Sequence, residues 1–567
     1  METGMLACSR ARRSPEGAAG AAPGEPLAPR LLQALASADA HPGDPSRGAG
    51  VEWVQTHLSH VFLTRDRVYK LRKAVELGFV DFRTRAARNA DCLRELRLNR
   101  RLAPDVYLGV APVEPVAGSY RVGAVGEEIA RADLEHVVVM RHLRSGSDAL
   151  SLLNRGALHA RHLDAVAARL ARFHAEHGLG APSPFSPEAW LEAVSAPMRH
   201  TLESLASAAA GLIDRARLEQ LRRRSDAFVE EHRGWIEERR RTGRAVDGHG
   251  DVHLQHVWFE PGRSEPLLID CIEFNEGLRR IDAAAEVAFL AMDLRYRGRA
   301  RLAERFVRVY AALTDDYDLY RLLEWFVSYR AAVRATVAAI AATDPGIGAE
   351  QRNRAACSAR DHLALALRAL APRPRGGVAL VAGVVGSGKS TAAALLADAA
   401  GGVVVASDRV RKALRGLAPA DRAGADLYAE GEKDRVYEAL LERAAPIAES
   451  GRVAVLDATY ARERHRRAAL AWATERGLPF WILETTCAAP VALERLAHRQ
   501  AAGGDPSDAG PELYASSAAS FEPIGPMPGA EHRAVRTDEP TWRSELRRAA
   551  RELRAARSQR QDPLPLG

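Results

Sequence analysis

Two short stretches concentrate residues able to handle phosphate. The first, Asp247 to Phe259, reads DGHGDVHLQHVWF and holds three histidines and two aspartates. His249, His253 and His256 stand at i, i+4 and i+7, so on a helix they would share a face able to hold zinc, with Cys271 as a fourth ligand. The local sequence argues against that helix: Gly-His-Gly is poor helix sequence, HVWF reads as strand, and a solitary cysteine behaves as a small buried hydrophobe. A phosphotransferase loop uses more of the residues at once. Asp251 would orient an acceptor hydroxyl or take its proton, and Asp270 in LLIDCIEF, across a strand–turn–strand, would bind Mg2+. Upstream, VYKLRK puts Lys70 in a strand, where its ammonium reaches the α- and β-phosphates of ATP. Glu95, in CLRELRLNRRL on the following helix, is the carboxylate to hold it. Lys73, three positions from Lys70, falls on the opposite side of the pleat.

The second stretch is GVVGSGKST, Gly383 to Thr391. It follows the apolar run Val378–Ala382 and opens a helix, which is the strand–loop–helix setting that GxxxxGK(S/T) requires. Gly383, Gly386, Ser387 and Gly388 let backbone amides wrap phosphates. Lys389 reaches the β- and γ-phosphates, Ser390 holds Mg2+, and Thr391 continues the helix N-terminus with its positive potential. Asp457, ending RVAVLDA, stands where a second magnesium-side carboxylate belongs, or else caps the next helix. Asp408 and Arg411 follow the second strand. Arg495 and Arg499 lie four apart on one helix face, and form either a lid over the transferred phosphoryl group or a solvated basic face.

Composition bounds these readings. Of 80 basic residues five are lysines, Lys70, Lys73, Lys389, Lys412 and Lys433, so a lysine marks a place where a compact ammonium is needed. The net charge of +7 is spread among nearly as many acids, which reads as a mixed solvated surface and does not favour nucleic acid. No apolar run is long enough to span a membrane and no secretory leader is visible. Five scattered cysteines, Cys8, Cys92, Cys271, Cys357 and Cys487, form no CxxC pair, so a reducing cytoplasm is expected.

Patterning divides the chain. Residues 1–50, rich in Ala, Gly and Pro, read as a disordered leader with one short helix near Leu31. Residues 51–370 form one domain, with a small lobe over 51–145 of antiparallel sheet plus helix and a helical lobe over 146–370. A Pro/Gly break at 371–377 precedes a P-loop domain over 376–550, where strands and helices alternate as in a parallel sheet covered on both faces. Residues 551–567 read as a flexible tail.

The C-terminal pieces, over about 376–545, resemble the small P-loop, AAA-type kinases of metabolites and polynucleotide ends, such as gluconate kinase, shikimate kinase and zeta-toxin-like kinases. The resemblance implies that Asp408 and Arg411 sit near the acceptor and that Arg495 and Arg499 belong to a lid before DPSDA. The order Lys70, Glu95, HGD, Asp270, over about 51–345, resembles the aminoglycoside phosphotransferase family and implies its protein-kinase-like α+β fold, followed here by an α/β P-loop domain. The whole layout resembles bacterial bifunctional proteins of this kind through THLSHVFLTRDRVYKLRK, LRLNRRLAPDVYLGV, DGHGDVHLQH and IDCIEFNEGLR. Fold alone does not name the acceptor.

Two positions depart from that family's pattern. His256 stands where an asparagine supplies a second magnesium ligand, and imidazole suits Mg2+ poorly. No glycine-rich loop precedes Lys70, only the tight turn LTRDRV. Glu273, Asp282 and Asp293 are nearby carboxylates able to compensate, although helix-face solvation accounts for Asp293. The expected function is an ATP- and Mg2+-dependent phosphotransferase whose two domains each pass the γ-phosphate to a small hydroxylated acceptor. Two other readings stay open: an ATP-gated regulator with a pseudo-kinase N-terminal domain, and a polynucleotide 5′-end kinase. Neither acceptor identity nor oligomeric state is written in the sequence.

Overall fold

Alternation in VYKLR and HVVVMR decides how the first sheet is faced. Tyr69 and Leu71 pack with Val137 and Val139 on one side, while Val138 joins the opposite cluster with Cys92 and Leu96. Lys70 pairs in register with Val61 and Val138, so period 2 sends it to the Val138 side. That parity positions the N-terminal site.

The computed structural model describes residues 25–45, 50–76, 80–417, 421, 430–502 and 510–559. It contains two compact units, Met1–Phe306 with Leu323–Leu370, and Val307–Leu322 with Ala371–Gly567. In the first unit, α1 (Pro29–Leu35) precedes β1 (Glu52–Gln55), β2 (Ser59–Leu63) and β3 (Arg67–Arg72). Then come α2 (Arg85–Arg100), β4 (Tyr107–Val116), β5 (Ser119–Val122) and β6 (His136–Arg141). The strands form an antiparallel sheet in the order β1-β2-β3-β6-β4-β5. Helix α2 starts where the Thr84 side chain accepts the Ala87 N–H at 3.3 Å. Its Cys92 and Leu96 pack on the Val138 face, and the same face of the sheet carries Lys70 and Arg72.

Helices follow: α3 (Ala149–Asn154), α4 (Ala160–Glu176), α5 (Pro187–Ala208), α6 (Arg215–Glu231) and α7 (Arg233–Arg241). The short strands β7 (Ala245–Asp247), β8 (Val257–Trp258), β9 (Leu267–Leu268) and β10 (Arg280–Asp282) interrupt them before α8 (Ala283–Tyr296), α9 (Ala300–Thr314), α10 (Leu319–Thr343) and α11 (Ala349–Ala369). β7 pairs with β10 and β8 with β9, both antiparallel. The stretch read as strand over HVWF is thus two residues long, because the histidine rings hold the preceding backbone in a loop.

The second unit alternates β11 (Gly377–Ala382), α12 (Lys389–Ala400), β12 (Gly402–Ala406), α13 (Ser407–Ala413), α14 (Glu430–Glu449), β13 (Val453–Asp457), α15 (Glu463–Glu475) and β14 (Phe480–Thr486). α16 (Ala489–Ala502), α17 (Tyr514–Ser520), β15 (Glu531–Arg536) and α18 (Trp542–Gln559) complete it. All pairings are parallel, in the order β12-β13-β11-β14-β15. Ala379, Val381, Val453 and Val455 meet α12 and α18 on one face. Leu380 and Leu456, equally buried, point to the other, which is why these strands read as continuous apolar runs.

Two segments differ from the sequence expectation. Residues 25–45 are not a leader: Leu31 and Leu35 of α1 are buried against Phe62, Tyr69 and Val137, because the Tyr69 face of the sheet needs a cover that β-strands alone do not supply. Residues 1–24 lie outside the described residues, as does the end of the tail from 560. Helix α18 runs past 551, with Leu553 packed on the second unit's core. Leu35→Ala, at a site with no exposed surface, is expected to cost about 2–5 kcal/mol in denaturant unfolding of the full chain; a loss near zero would mean α1 is not part of the folded core.

Candidate functional site

In the first unit, the ammonium of Lys70 lies 2.8 Å from Glu95 Oε1 and 3.0 Å from Asp270 Oδ1. Glu95 is held from behind. Arg72, two residues along β3 and on the same face, reaches Glu95 Oε2 at 2.7 Å and Asp91 at 2.7 Å, and also pairs with Glu273. Arg72, Asp91, Glu95 and Glu273 are all buried. Burial pushes the Glu273 carboxyl above the usual carboxylate range, against the pull of Arg72 and helped by the Asp91 and Glu95 carboxylates. Burial opposes the charge on Lys70, but Asp270 and Glu95 hold its pKa above the ordinary lysine value. Asp270 has φ +63°, left-handed for a non-glycine residue. Its N–H donates to the Tyr107 hydroxyl at 3.1 Å and the Cys271 N–H donates to Asn99 Oδ1 at 2.8 Å. These bonds hold the strained turn that aims the carboxylate at Lys70.

The loop bearing Asp251 is strapped by a buried carboxylate. Glu286 Oε1, on α8, accepts the N–H groups of His249 at 2.7 Å and Gly250 at 2.5 Å, while Oε2 faces His174 Nε2 at 2.5 Å. Burial opposes its charge, but those donors hold Glu286 down at about 2. A Cβ on Gly248 would meet Glu286 Oε2 at 2.8 Å, and one on Gly250 would meet Ile272 at 2.4 Å, so both glycines of Gly-His-Gly serve close approach.

The three histidines do not share a helix face. His249 Nδ1 accepts the Asp251 N–H at 3.3 Å and its Nε2–H donates to the Ile269 carbonyl at 2.9 Å. His253 Nδ1 accepts the Gln255 N–H at 3.3 Å, leaving its Nε2–H directed at Asp251 Oδ2, 3.6 Å away. His256 is the reverse: its Nδ1–H donates to the Asp251 carbonyl at 2.9 Å, and Nε2 faces Asp270 Oδ2 at 3.4 Å. Burial lowers the His256 imidazole to about 4. Against burial, His253 and His256 hold Asp251 at about 2, so it is ionised at neutral pH. Asp251 Oδ1 is buried without a hydrogen-bond partner among the described residues. Cys271, considered above as a zinc ligand, is instead buried with Sγ 3.4 Å from Arg101 Nη2, and burial pushes its thiol up to about 12.

Two carboxylates thought able to compensate are committed elsewhere. Asp282 pairs with Arg239 at 2.6 Å and caps α8 through the Ala284 N–H at 2.8 Å. Asp293 is buried, not a solvated helix-face acid: it accepts the Leu254 N–H at 3.1 Å and pairs with Arg297 at 2.9 Å. A hydrophobic helix pulled against a loop leaves that amide no water to turn to.

In the second unit, the loop from Gly383 joins β11 to α12. Gly386 and Gly388 have φ near +79° and +86°, and a Cβ on Gly383 would meet the Thr485 carbonyl at 2.4 Å. Lys389 folds over the loop and donates to the Val384 carbonyl at 2.8 Å. Burial lowers its pKa, opposed by Asp457 and Asp408. Ser390 and Thr391 are exposed at the helix start. Asp457 ends β13, which pairs with β11 at Val381 and with β12 at Ala406. The P-loop, Asp457 and Asp408 therefore leave three adjacent strands at the same end, where ligands bind in open parallel sheets. Asp408 and Arg411 form an ion pair with each other.

Ser387 turns inward, its hydroxyl 2.8 Å from that of Thr485. Arg495, expected over a transferred phosphoryl group, instead donates to the Thr537 hydroxyl at 2.8 Å and carbonyl at 2.9 Å. The Thr537 hydroxyl in turn donates to the Ser387 carbonyl at 2.8 Å. Arg495 thereby braces the P-loop from outside, since its reach from α16 ends on β15's exit. Arg499 contributes positive potential at Lys389. The DPSDA segment lies outside the described residues.

Sequence reasoning missed Arg72 and Glu286. The available signal was an acid in the first turn of the otherwise apolar DAAAEVAFLAMD, and an arginine sharing Lys70's pleat parity. Glu286→Gln keeps the two acceptor bonds but removes the charge. The native carboxylate has a depressed pKa, so the stability it adds over the variant is full above about pH 4.5 and lost as pH falls toward about 2. Denaturant titrations of both chains across that range are expected to converge on acidification; a constant gap would mean Glu286 is not ionised.

Residues 63–323 match the family model "Phosphotransferase enzyme family", and residues 378–524 match "AAA domain". Uncharacterized proteins of Mycobacterium bovis and of Mycobacterium tuberculosis are each 32% identical over 487 residues, covering 85% of this chain and 92% of theirs. Among solved structures, a gluconokinase from Sinorhizobium meliloti 1021 is 23% identical, with a TM-score of 0.23, covering 33% of this chain and 96% of that one. The Mycobacterium tuberculosis APS kinase CysC, in complex with AMPPNP and APS, is 18% identical with a TM-score of 0.23, covering 32% and 98%. Among the described residues no helix is long and apolar enough to cross a membrane. The chain belongs to the same family as these mycobacterial proteins and is an ATP-dependent kinase in which a phosphotransferase-family domain precedes a P-loop kinase domain with a parallel sheet.

Proposed function

We propose that each unit transfers the γ-phosphoryl group of ATP to its own small hydroxylated acceptor, in the cytoplasm. The observation that carries this reading is the convergence of Lys70, Glu95 and Asp270 in the first unit, with His256 facing both Asp251 and Asp270, together with a complete P-loop in the second.

In the first unit Lys70, held by Glu95, binds the α- and β-phosphates. Asp251 accepts a hydrogen bond from the acceptor hydroxyl at its unpartnered Oδ1. The hydroxyl oxygen forms a bond to the γ-phosphorus, the bond from phosphorus to the ADP oxygen breaks, and the hydroxyl proton passes to Asp251. A carboxylate near pKa 2 is a weak base, which suits a loose transition state in which the proton leaves late. In the second unit, amides of Gly386, Gly388 and the first turn of α12 face the phosphates, and Lys389 swings from the Val384 carbonyl to the β- and γ-phosphates. Ser390 and Asp457 offer oxygen donors that fit Mg2+, which would neutralise charge on the transferred group. Asp408 and Arg411 would meet the acceptor, and Arg499 the phosphoryl oxygens.

A second reading, in which the first unit binds a nucleotide or metabolite without chemistry, is favoured by His256 in the asparagine position. The test uses the full chain with a panel of hydroxylated metabolites and γ-labelled ATP. Lys389→Ala and Asp251→Asn are each expected to remove transfer to a different acceptor by about 10²-fold or more, and the double variant to remove both. Transfer unaffected by Asp251→Asn would establish the non-catalytic reading; turnover surviving in the double variant would overturn the proposal.

A further inference from the structure

His256 is the one member of the histidine cluster whose Nε2 faces Asp270. The backbone sets each tautomer. Because the amides of Asp251 and Gln255 donate to Nδ1 of His249 and His253, those rings carry their proton on Nε2. His249 spends it on the Ile269 carbonyl, while His253 points it toward Asp251 Oδ2, 3.6 Å away and beyond hydrogen-bond length. In His256 the order is inverted. Its Nδ1 lies 2.9 Å from the Asp251 carbonyl, which can only accept, so Nδ1 carries the proton and Nε2 keeps its lone pair. That lone pair stands 3.4 Å from Asp270 Oδ2. Two electron-rich atoms at this distance repel unless something positive lies between them.

We propose that His256 Nε2 and Asp270 form the protein half of a divalent-cation site that selects a first-row transition ion, such as Mn2+ or Zn2+, over Mg2+. Three observations converge. Donors bound at roughly 2.0–2.2 Å to a common cation lie about 3.0–3.4 Å apart, which matches the separation seen. An imidazole that donates its other N–H to a backbone carbonyl has the arrangement that orients metal-binding histidines. Asp270 is held in a left-handed backbone conformation by Tyr107, so its carboxylate reaches the site without rearrangement.

The set that holds Asp251, His253 and His256 within ligand distance of one another is a poorer candidate. The His256 nitrogen that lies 3.4 Å from Asp251 Oδ2 is Nδ1, which already donates to the Asp251 carbonyl, and the His253 nitrogen 3.6 Å from that oxygen is Nε2, which carries the proton because Nδ1 accepts a backbone N–H. An all-oxygen site would suit Mg2+. Replacing one oxygen by an imidazole nitrogen moves the preference along the series in which Mn2+ precedes the tighter Zn2+ and Cu2+. The inference bears on the site assigned above to phosphotransfer, but stands on donor geometry and is read out by binding alone.

Mn2+ without nucleotide, added to the full chain and examined by pulsed electron paramagnetic resonance, is expected to show coupling to one 14N nucleus. In His256→Asn that coupling should vanish, and the ratio of Mn2+ to Mg2+ affinity should fall about tenfold or more. A proton shared between His256 and Asp270 is the competing occupant and gives no 14N coupling, so its absence in the unmutated chain overturns the proposal. That measurement needs no variant and decides the matter even where His256→Asn does not fold. Coupling that persists in a folded His256→Asn overturns it too. Mn2+ bound through His256 in a chain that transfers no phosphoryl group would refute the phosphotransfer reading and leave the cation site standing; transfer with Mg2+ and no 14N coupling would do the reverse.

Discussion

The guanidinium of Arg72 is the contact on which the first unit's chemistry depends. It is buried with Asp91, Glu95 and Glu273 around it. Moving such ions out of water costs several kcal/mol each, recovered only when every partner is in place. The network therefore has one low-energy arrangement, and in that arrangement Glu95 presents its other oxygen to Lys70. Counted together, Lys70 and Arg72 face Asp91, Glu95, Asp270 and Glu273, two cations against four carboxylates. The raised Glu273 carboxyl absorbs part of the imbalance as a proton. What remains is a cluster in which carboxylates outnumber cations.

Much of the architecture was legible because it follows from periodicity. The parallel sheet announced itself as unbroken apolar strands between helices, and the small antiparallel sheet as alternation that sets the face of Lys70, whereas Lys73 lies one residue past the end of β3, where pleat parity does not apply. The meeting of Lys70 with Glu95 follows from the same parity, since α2 covers the face on which Lys70 emerges. Other features lie beyond one-dimensional pattern. Arg72 and Glu286 carry the same letters as surface charges, and in a chain where 27% of residues are charged nothing local marks the ones that are buried. The short helix expected near Leu31 is α1, but its burial could not be read from a stretch whose Ala, Gly and Pro content suggests disorder, because the surface that orders it comes from strands farther along the chain. Arg495 looked like a lid residue because i,i+4 spacing fixes a helix face but not what that face meets.

The two units meet the same electrostatic problem with opposite means. In the first, the transferred phosphoryl group would be surrounded by side-chain ions whose positions are set by other ions, and the sheet contributes only direction. In the second, glycines at positive φ turn the backbone itself into the charge-bearing surface, and side chains such as Arg495 and Thr537 keep that backbone in shape from outside. The second solution tolerates motion, because amides of a helix start have no alternative partner. The first does not. A shift of β3 by one residue would reverse its pleat and carry both Lys70 and Arg72 to the α1 side.

That difference explains why lysine survives at these places in a chain that uses arginine almost everywhere else. In the proposed function Lys389 would leave the Val384 carbonyl and follow a phosphate, which a flexible stem with one compact charge does at little cost. A planar guanidinium at the same position would lock onto a pair of acceptors and stay there. Lys70 faces two single oxygens from two carboxylates, at 2.8 and 3.0 Å, and in the proposed function would exchange one of them for a phosphate oxygen while keeping the other. Arg72, which exchanges nothing, uses its several donors to hold three carboxylates at once. The division between lysine and arginine along β3 is thus a division between a group that has to let go and one that must not.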